Sequence, residues 1–90
     1  MFLNRVNSYV VTTNHEITKM VVMDSGMMAF IDGNGSLNSF NNNGAEQRIM
    51  DNVESILSHG DQLIAASNRH LHFFVGRLGE FKFLKKVTLL

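Results

Sequence analysis

The sequence runs through the same order of events twice. Ile17 aligns with Val53 and Met20 with Ile56 at an offset of 36. The turn Ser25-Gly26 aligns with Asp61-Gln62, and Met27-Met28-Ala29 with Leu63-Ile64-Ala65, at the same offset. Asn34–Asn41 then falls on Asn68–Val75 at an offset of 34, with Leu37 on Leu71 and Phe40 on Phe74. The difference sits in a turn, where Gly33-Asn34-Gly35 is longer than Asn68-Arg69, and turns are where repeats change length. A period of about 20–50 residues points to stacked or radial architecture, because one unit cannot bury its apolar side without a neighbour.

Within each copy the texture is short apolar runs cut by Gly, Asn and Asp. Strands are expected near Ser8–Thr13, Ile17–Met23, Met27–Asp32, Ser36–Asn41, Val53–Ser58, Leu63–Ser67, His70–Val75 and Glu80–Lys85. The turns between them are Asp24–Gly26, Gly33–Gly35, Asn41–Gly44, His59–Asp61, Asn68-Arg69 and Gly76–Gly79, rich in residues that accept positive φ. Gln47–Ser58 is ambiguous. Ile49, Met50, Val53, Ile56 and Leu57 also fit one face of a helix, so a small α+β domain with a helix near 47–58 on an antiparallel sheet is the alternative fold.

The all-β pattern resembles the WD-repeat β-propeller family, whose blades are four-stranded antiparallel sheets. VVMDSGMMAFIDGNGSLNSFN covers the first three strands of one blade, and ILSHGDQLIAASNRHLHFFV those of the next. Phe40-Asn41 and Phe74-Val75 stand where that family places Trp-Asp, and the chain contains no Trp. The resemblance implies blade-like repeats at about 17–50 and 53–85, with partial blades at 1–13 and 87–90, in one domain or fragment spanning 1–90. Glu46–Met50 and Glu80–Lys85 would be the outer fourth strands, Ser8–Thr13 that of an earlier blade, and Val87–Leu90 the start of a later one. It also implies inner strands packed on both sides, for which MMAF and LIAA supply apolar and small residues.

Composition narrows the chemistry. With 90 residues and no Cys, neither a disulfide nor a thiolate metal site is available to stabilise a small core. No signal-peptide core is visible in MFLNRVNSYVV and no run reaches about 18 apolar residues, so the expectation is a cytoplasmic chain without a membrane span. Asp32-Gly33-Asn34-Gly35-Ser36-Leu37-Asn38 places oxygens at alternate positions like the start of a Ca²⁺ loop. Leu37 and Asn43 occupy the places of the required Gly and Glu, which leaves a hairpin turn. His70 and His72 share a strand face, and nothing nearby offers an obvious third ligand. His59, Asp61 and a serine could be drawn as a triad, but no nucleophile elbow surrounds the serine. No catalytic set, metal or cofactor is expected.

Charge is uneven. Residues 1–68 hold three Lys/Arg against seven Asp/Glu, and residues 69–90 hold five against one. The basic segment 69–86 interleaves Arg69, Arg77, Lys82, Lys85 and Lys86 with Phe73, Phe74, Phe81 and Phe83, a composition that nucleic-acid binders share. The alternation Phe81-Lys82-Phe83 also describes a half-buried strand with an aromatic inner face and a basic outer one. The leading expectation is a non-catalytic protein-interaction scaffold, a partial propeller completed by more chain, by copies of itself or by a partner protein. Contacts are assigned to the apolar ends Phe2, Leu3, Val87, Leu89 and Leu90, with Arg77, Lys82, Lys85 and Lys86 as basic candidates, and the loops Asp24–Gly26, Gly33–Gly35 and Gly76–Gly79 clustered at the binding surface. The alternative is a small β-rich nucleic-acid-binding domain.

Overall fold

Alternating side chains and glycine- or asparagine-rich turns yield a chain of antiparallel strands. The computed structural model describes residues 16–40 and 44–90, together with the backbone of residues 2–6 and 9–13. β1 (Phe2–Val6) and β2 (Tyr9–Thr13) form a two-stranded hairpin in which Phe2 lies opposite Thr13. The first four-stranded sheet is a meander of β3 (Ile17–Val22), β4 (Met28–Asp32), β5 (Leu37–Phe40) and β6 (Glu46–Met50). The second repeats that order with β7 (Ser55–His59), β8 (Gln62–Ser67), β9 (His70–Arg77) and β10 (Glu80–Thr88).

Two expectations are corrected, and a third lies partly outside the described residues. The described residues contain no helix, and the segment proposed as one divides between β6 and β7. Its apolar residues serve separate strands, Met50 opposite Leu37 and Ile56 opposite Ala65, so strand pairing overrides the helical spacing. Ser8 lies outside the described residues, and the strand that follows it pairs with β1 in a hairpin. Val87 and Thr88 do not open a further sheet; they extend β10 opposite Leu71 and His70.

The repeat is real at the level of sheet order, but one strand is in a different register. Lys19 pairs with Ile31 and Ser55 with Ala66; Ile31 pairs with Leu37 and Ala66 with Leu71. Equivalent positions therefore differ by 36 in the first strand (19 to 55), 35 in the second (31 to 66) and 34 in the third (37 to 71). Sequence alignment at 36 slips the second strand by one, which assigns every side chain on it to the wrong face.

The two sheets pack face to face. Val21, Ala29, Ile31 and Leu37 from the first meet Ile56, Leu63, Ala65 and Phe74 from the second, with Met23 and Val53 completing the core. Contact between the sheets runs through β3 and β4 against β7. At the outer strands a cleft of about 420 Å³ opens between Ser39, Gln47, Arg48 and Ile49 on one side and Phe74, Glu80, Phe81 and Phe83 on the other. The crossover between the sheets is held to both. Val53 N–H donates to Gly35 O at 2.8 Å and the Ser36 hydroxyl to Asp51 Oδ1 at 2.8 Å. Glu54 N–H donates to Ala66 O at 2.8 Å and the Ser67 hydroxyl to Asn52 O at 2.6 Å.

Gly76 on β9 is required for a close approach. A Cβ there would lie 2.6 Å from the Phe81 ring and 3.1 Å from Met27 Sδ, a methionine in the β3–β4 turn of the facing sheet. Gly76→Ala is expected to lower stability by about 1–3 kcal/mol through overpacking, and Leu63→Ala by about 2–5 kcal/mol through cavity formation. Urea unfolding of each variant measures both, and a neutral result at either position would contradict the packing.

Candidate interaction surface

Register assigns every side chain of the second sheet to one of two faces. Leu63, Ala65 and Ser67 on β8 point at the first sheet, as do their partners Phe74, His72 and His70 on β9. The intervening residues point away: Ile64 and Ala66 on β8, Leu71, Phe73 and Val75 on β9, Leu57 on β7 and Val87 on β10. This outward face is apolar and open. Leu57 is 54% exposed, Val87 39%, and Ile64, Ala66, Leu71, Phe73 and Val75 are half-buried. At one end it meets a hollow of about 460 Å³ lined by Asp61, Gln62, Val75, Arg77, Glu80, Lys82 and Leu84.

The inner strand of the first sheet behaves differently. Met28–Asp32 is buried on both faces from Ala29 onward, with Phe30 at 0% exposure stacked obliquely on Phe40 at 5.3 Å between ring centroids. The expectation that MMAF is covered on both sides holds for Ala29 and Phe30. For LIAA it fails: Leu63 and Ala65 are buried, and Ile64 and Ala66 are not.

By the strand register, the open face has a counterpart. Leu57 is equivalent to Val21, Ile64 to Ala29, Ala66 to Ile31, Leu71 to Leu37 and Val87 to Met50. These counterparts form the side of the first sheet that the second sheet covers. Ala29, Ile31 and Leu37 are buried where Ile64, Ala66 and Leu71 are half-buried, and Val21 and Met50 pack partly buried against the core where Leu57 and Val87 are exposed.

The basic residues do not gather into one patch. β10 carries a register shift between Phe83 and Lys85, so Leu84 is an extra residue. Lys82 and Lys85, opposite Val75 and Phe73, share the open face, whereas Lys86, opposite His72, takes the other. Lys85 Nζ stands 5.0 Å from the centre of the Phe73 ring, a cation–π contact at an exposed site. Arg77 is paired with Asp61 at 3.1 Å. Phe81 is half-buried as expected, but Phe83 is 53% exposed and packs edgewise on Phe74 at 5.7 Å.

Of the apolar ends, Val87 belongs to the open face, Leu89 N–H donates to Arg69 O at 2.7 Å, and Leu90 is fully exposed. The side chains of Phe2 and Leu3 lie outside the described residues, as do Asn14, His15 and Asn41–Asn43. An antiparallel meander sends successive turns to opposite ends, so Asp24–Gly26 and Gly33–Gly35 do not cluster. The Gly76–Gly79 loop contracts to the two-residue turn Leu78-Gly79, with φ of 55° and 80°, because Gly76 and Arg77 remain in β9. Sequence reasoning missed Leu57, Ile64, Leu71 and Phe73. The signal was the two-residue alternation along β8 and β9, hidden by the one-residue slip.

Asp32 is a structural carboxylate. Its Oδ1 accepts from the N–H groups of Asn34 (2.9 Å) and Ser36 (3.0 Å), and its Oδ2 from Asn38 Nδ2 (3.1 Å). The Asx-type turn replaces the Ca²⁺ reading with internal donors. Hydrogen bonds from Ser36, then from Arg48, hold the Asp51 carboxyl below its ordinary value of 3.8. His70 and His72 share a face, 6.2 Å between ring centres, and His70 Nδ1 lies 3.1 Å from Thr88 Oγ1. Among the described residues no three His, Cys, Asp or Glu side chains converge as a metal site, and no helix is long and apolar enough to cross a membrane. No family model, curated protein or solved structure matches the chain.

Burial, then the nearby His70 and Lys86, lower the His72 pKa from 6.5. The unfolded chain therefore binds more protons than the native one just below pH 6.5, and stability falls as pH drops into that window, levelling once native His72 is protonated too. His72→Gln is expected to flatten this part of the profile, measured by urea unfolding in pH steps from neutral to mildly acidic. An unchanged slope would show that His72 is not the group responsible.

Proposed function

We propose that the protein is a non-catalytic interaction module, built as a partial β-propeller, that docks another protein through the outward face of β7–β10. The observation that carries this reading is the register equivalence. Leu57, Ile64, Ala66, Leu71 and Val87 occupy the positions that in the first sheet are covered by a neighbouring sheet. An apolar patch of this kind, bordered by Lys82, Lys85, Glu80 and Gln62, has the composition of an interface core with a polar rim. The blade reading adds that the sheets touch at their first strands and part at their outer ones, as wedges around an axis do. Intracellular placement accords with the absence of Cys.

Nucleic-acid binding is the weaker reading on the same geometry. A backbone-tracking groove needs its cations on one surface, and here Lys86 is turned from Lys82 and Lys85 while Arg77 is engaged by Asp61.

A double variant, Leu57→Lys with Val87→Lys, is expected to keep the thermal midpoint of the parent, because both side chains are already substantially exposed. It is also expected to lose at least tenfold in affinity for any docking partner. Affinity capture with parent and variant, followed by rebinding of the identified protein in purified form, measures this. A purified partner that binds both equally would overturn the assignment of the face.

A further inference from the structure

The cleft between the outer strands has two walls of different chemistry. One is aromatic. Phe83 lies opposite Phe74 and Phe81 opposite Gly76, so all three rings belong to the inner face of β9 and β10. Phe83 is 53% exposed even though it points between the sheets, while Phe74 beside it is buried. The other wall is polar. Ser39 and Gln47 are register partners on the inner face of β5 and β6, next to Ile49. Such partners stand about 5 Å apart, so the hydroxyl and the amide present donors and acceptors side by side. Ser39 is only 3% exposed, yet its hydroxyl, which opens on the cleft, makes no hydrogen bond to any described residue. Buried hydroxyls are ordinarily bonded, so the partner of this one comes from what enters the cleft. The charged residues at the rim are turned away. Arg48 lies opposite Asn38, on the far side of its sheet, and its guanidinium is held by Asp51 at 3.3 Å. Glu80 lies opposite Arg77, on the outward side of β10.

We propose that this cleft binds a small, neutral, flat aromatic molecule that carries hydrogen-bonding groups along one edge. Its ring lies on Phe81 and Phe83, with Ile49 across from them, and its polar edge meets Ser39 and Gln47. An amide edge suits that pair, because the hydroxyl and the side-chain amide each donate and accept. A carboxylate in the same place gives up hydration and meets no cation, since Arg48 is engaged elsewhere. The cleft volume of about 420 Å³ falls within the range of about 300–1,000 Å³ that small-molecule sites occupy. The cleft and the docking face lie on opposite sides of β9 and β10, so this inference goes beyond the docking reading and is independent of it.

Three probes share one ring: indole-3-carboxamide, its charged analogue indole-3-carboxylate, and indole itself, which lacks the polar edge. The carboxamide is expected to bind with a Kd on the order of 1 mM, as its size allows. Titration of the isotope-labelled chain from about 0.1 to 5 mM probe, a range that brackets this Kd, should give saturable NMR shifts at the Ser39, Gln47, Phe81 and Phe83 amides. The carboxylate should bind at least fivefold more weakly. Phe83→Ala should weaken the carboxamide at least threefold. Ser39→Ala should weaken the carboxamide to a similar extent and leave indole unchanged, a difference that a merely structural role would not produce. Leu57→Lys, on the outward face, should change nothing. Thermal unfolding confirms that each variant is folded. Absence of saturable shifts, meaning that water alone fills the cleft, overturns the inference. So do shifts centred elsewhere, a carboxylate that binds as tightly as the carboxamide, or a Ser39→Ala variant that treats carboxamide and indole alike.

Discussion

The dry contact between the two sheets organises everything else in this molecule. A ninety-residue chain without disulfides has few ways to remove enough apolar surface from water. Here the solution is a single shared layer in which Ala29, Ile31 and Leu37 oppose Ile56, Leu63, Ala65 and Phe74. Small side chains at Ala29 and Ala65, and none at Gly76, let the sheets approach closely enough for Met27 to reach β9. Because strand side chains alternate strictly, fixing which residues enter this layer also fixes which must leave it. The apolar outward face is the direct result of a second sheet whose alternate positions are apolar as well.

The crossover holds that contact in alignment. Residues 51–54 run between the sheets and are bonded to both, through Gly35 and Ser36 in the turn before β5 on one side and Ala66 and Ser67 at the end of β8 on the other. Asn52 takes a φ of 59° to make the bend, a conformation asparagine tolerates better than most residues. The Asp32 carboxylate stiffens the turn before β5 by accepting three hydrogen bonds within seven residues. Hydrogen-bonded in this way, the crossover is tied to both sheets at once.

Much of this architecture was legible. The ordering of four strands twice over, the Asn- and Gly-bearing turns, and the pairing of Leu37 with Leu71 and Phe40 with Phe74 as equivalents are visible in the residues. Two things were not. Gln47–Ser58 satisfies helical spacing and strand spacing at once, and only long-range partners such as Leu37 and Ala65 separate them. The surface was obscured by a smaller ambiguity. Between the equivalent pairs Val22–Met28 and Ser58–Leu63 the connections differ by one residue, which pattern matching places on either side of MMAF without penalty. Hydrogen-bond register does not share that freedom, and it exchanges Ile64 with Ala65 as the residue facing outward.

The extra residue in β10 has a further effect. β10 is the outermost strand of its sheet and is nine residues long, enough to template the backbone of another chain. Leu84 breaks the regular spacing of its hydrogen-bonding groups, and Lys82, Lys85 and Lys86 crowd both sides of it with charge. A neighbouring strand arriving in register finds neither a straight rail nor a neutral one. Growth by strand addition along this edge is opposed by the bulge and the charges together, a defence that leaves the broad face of the sheet untouched.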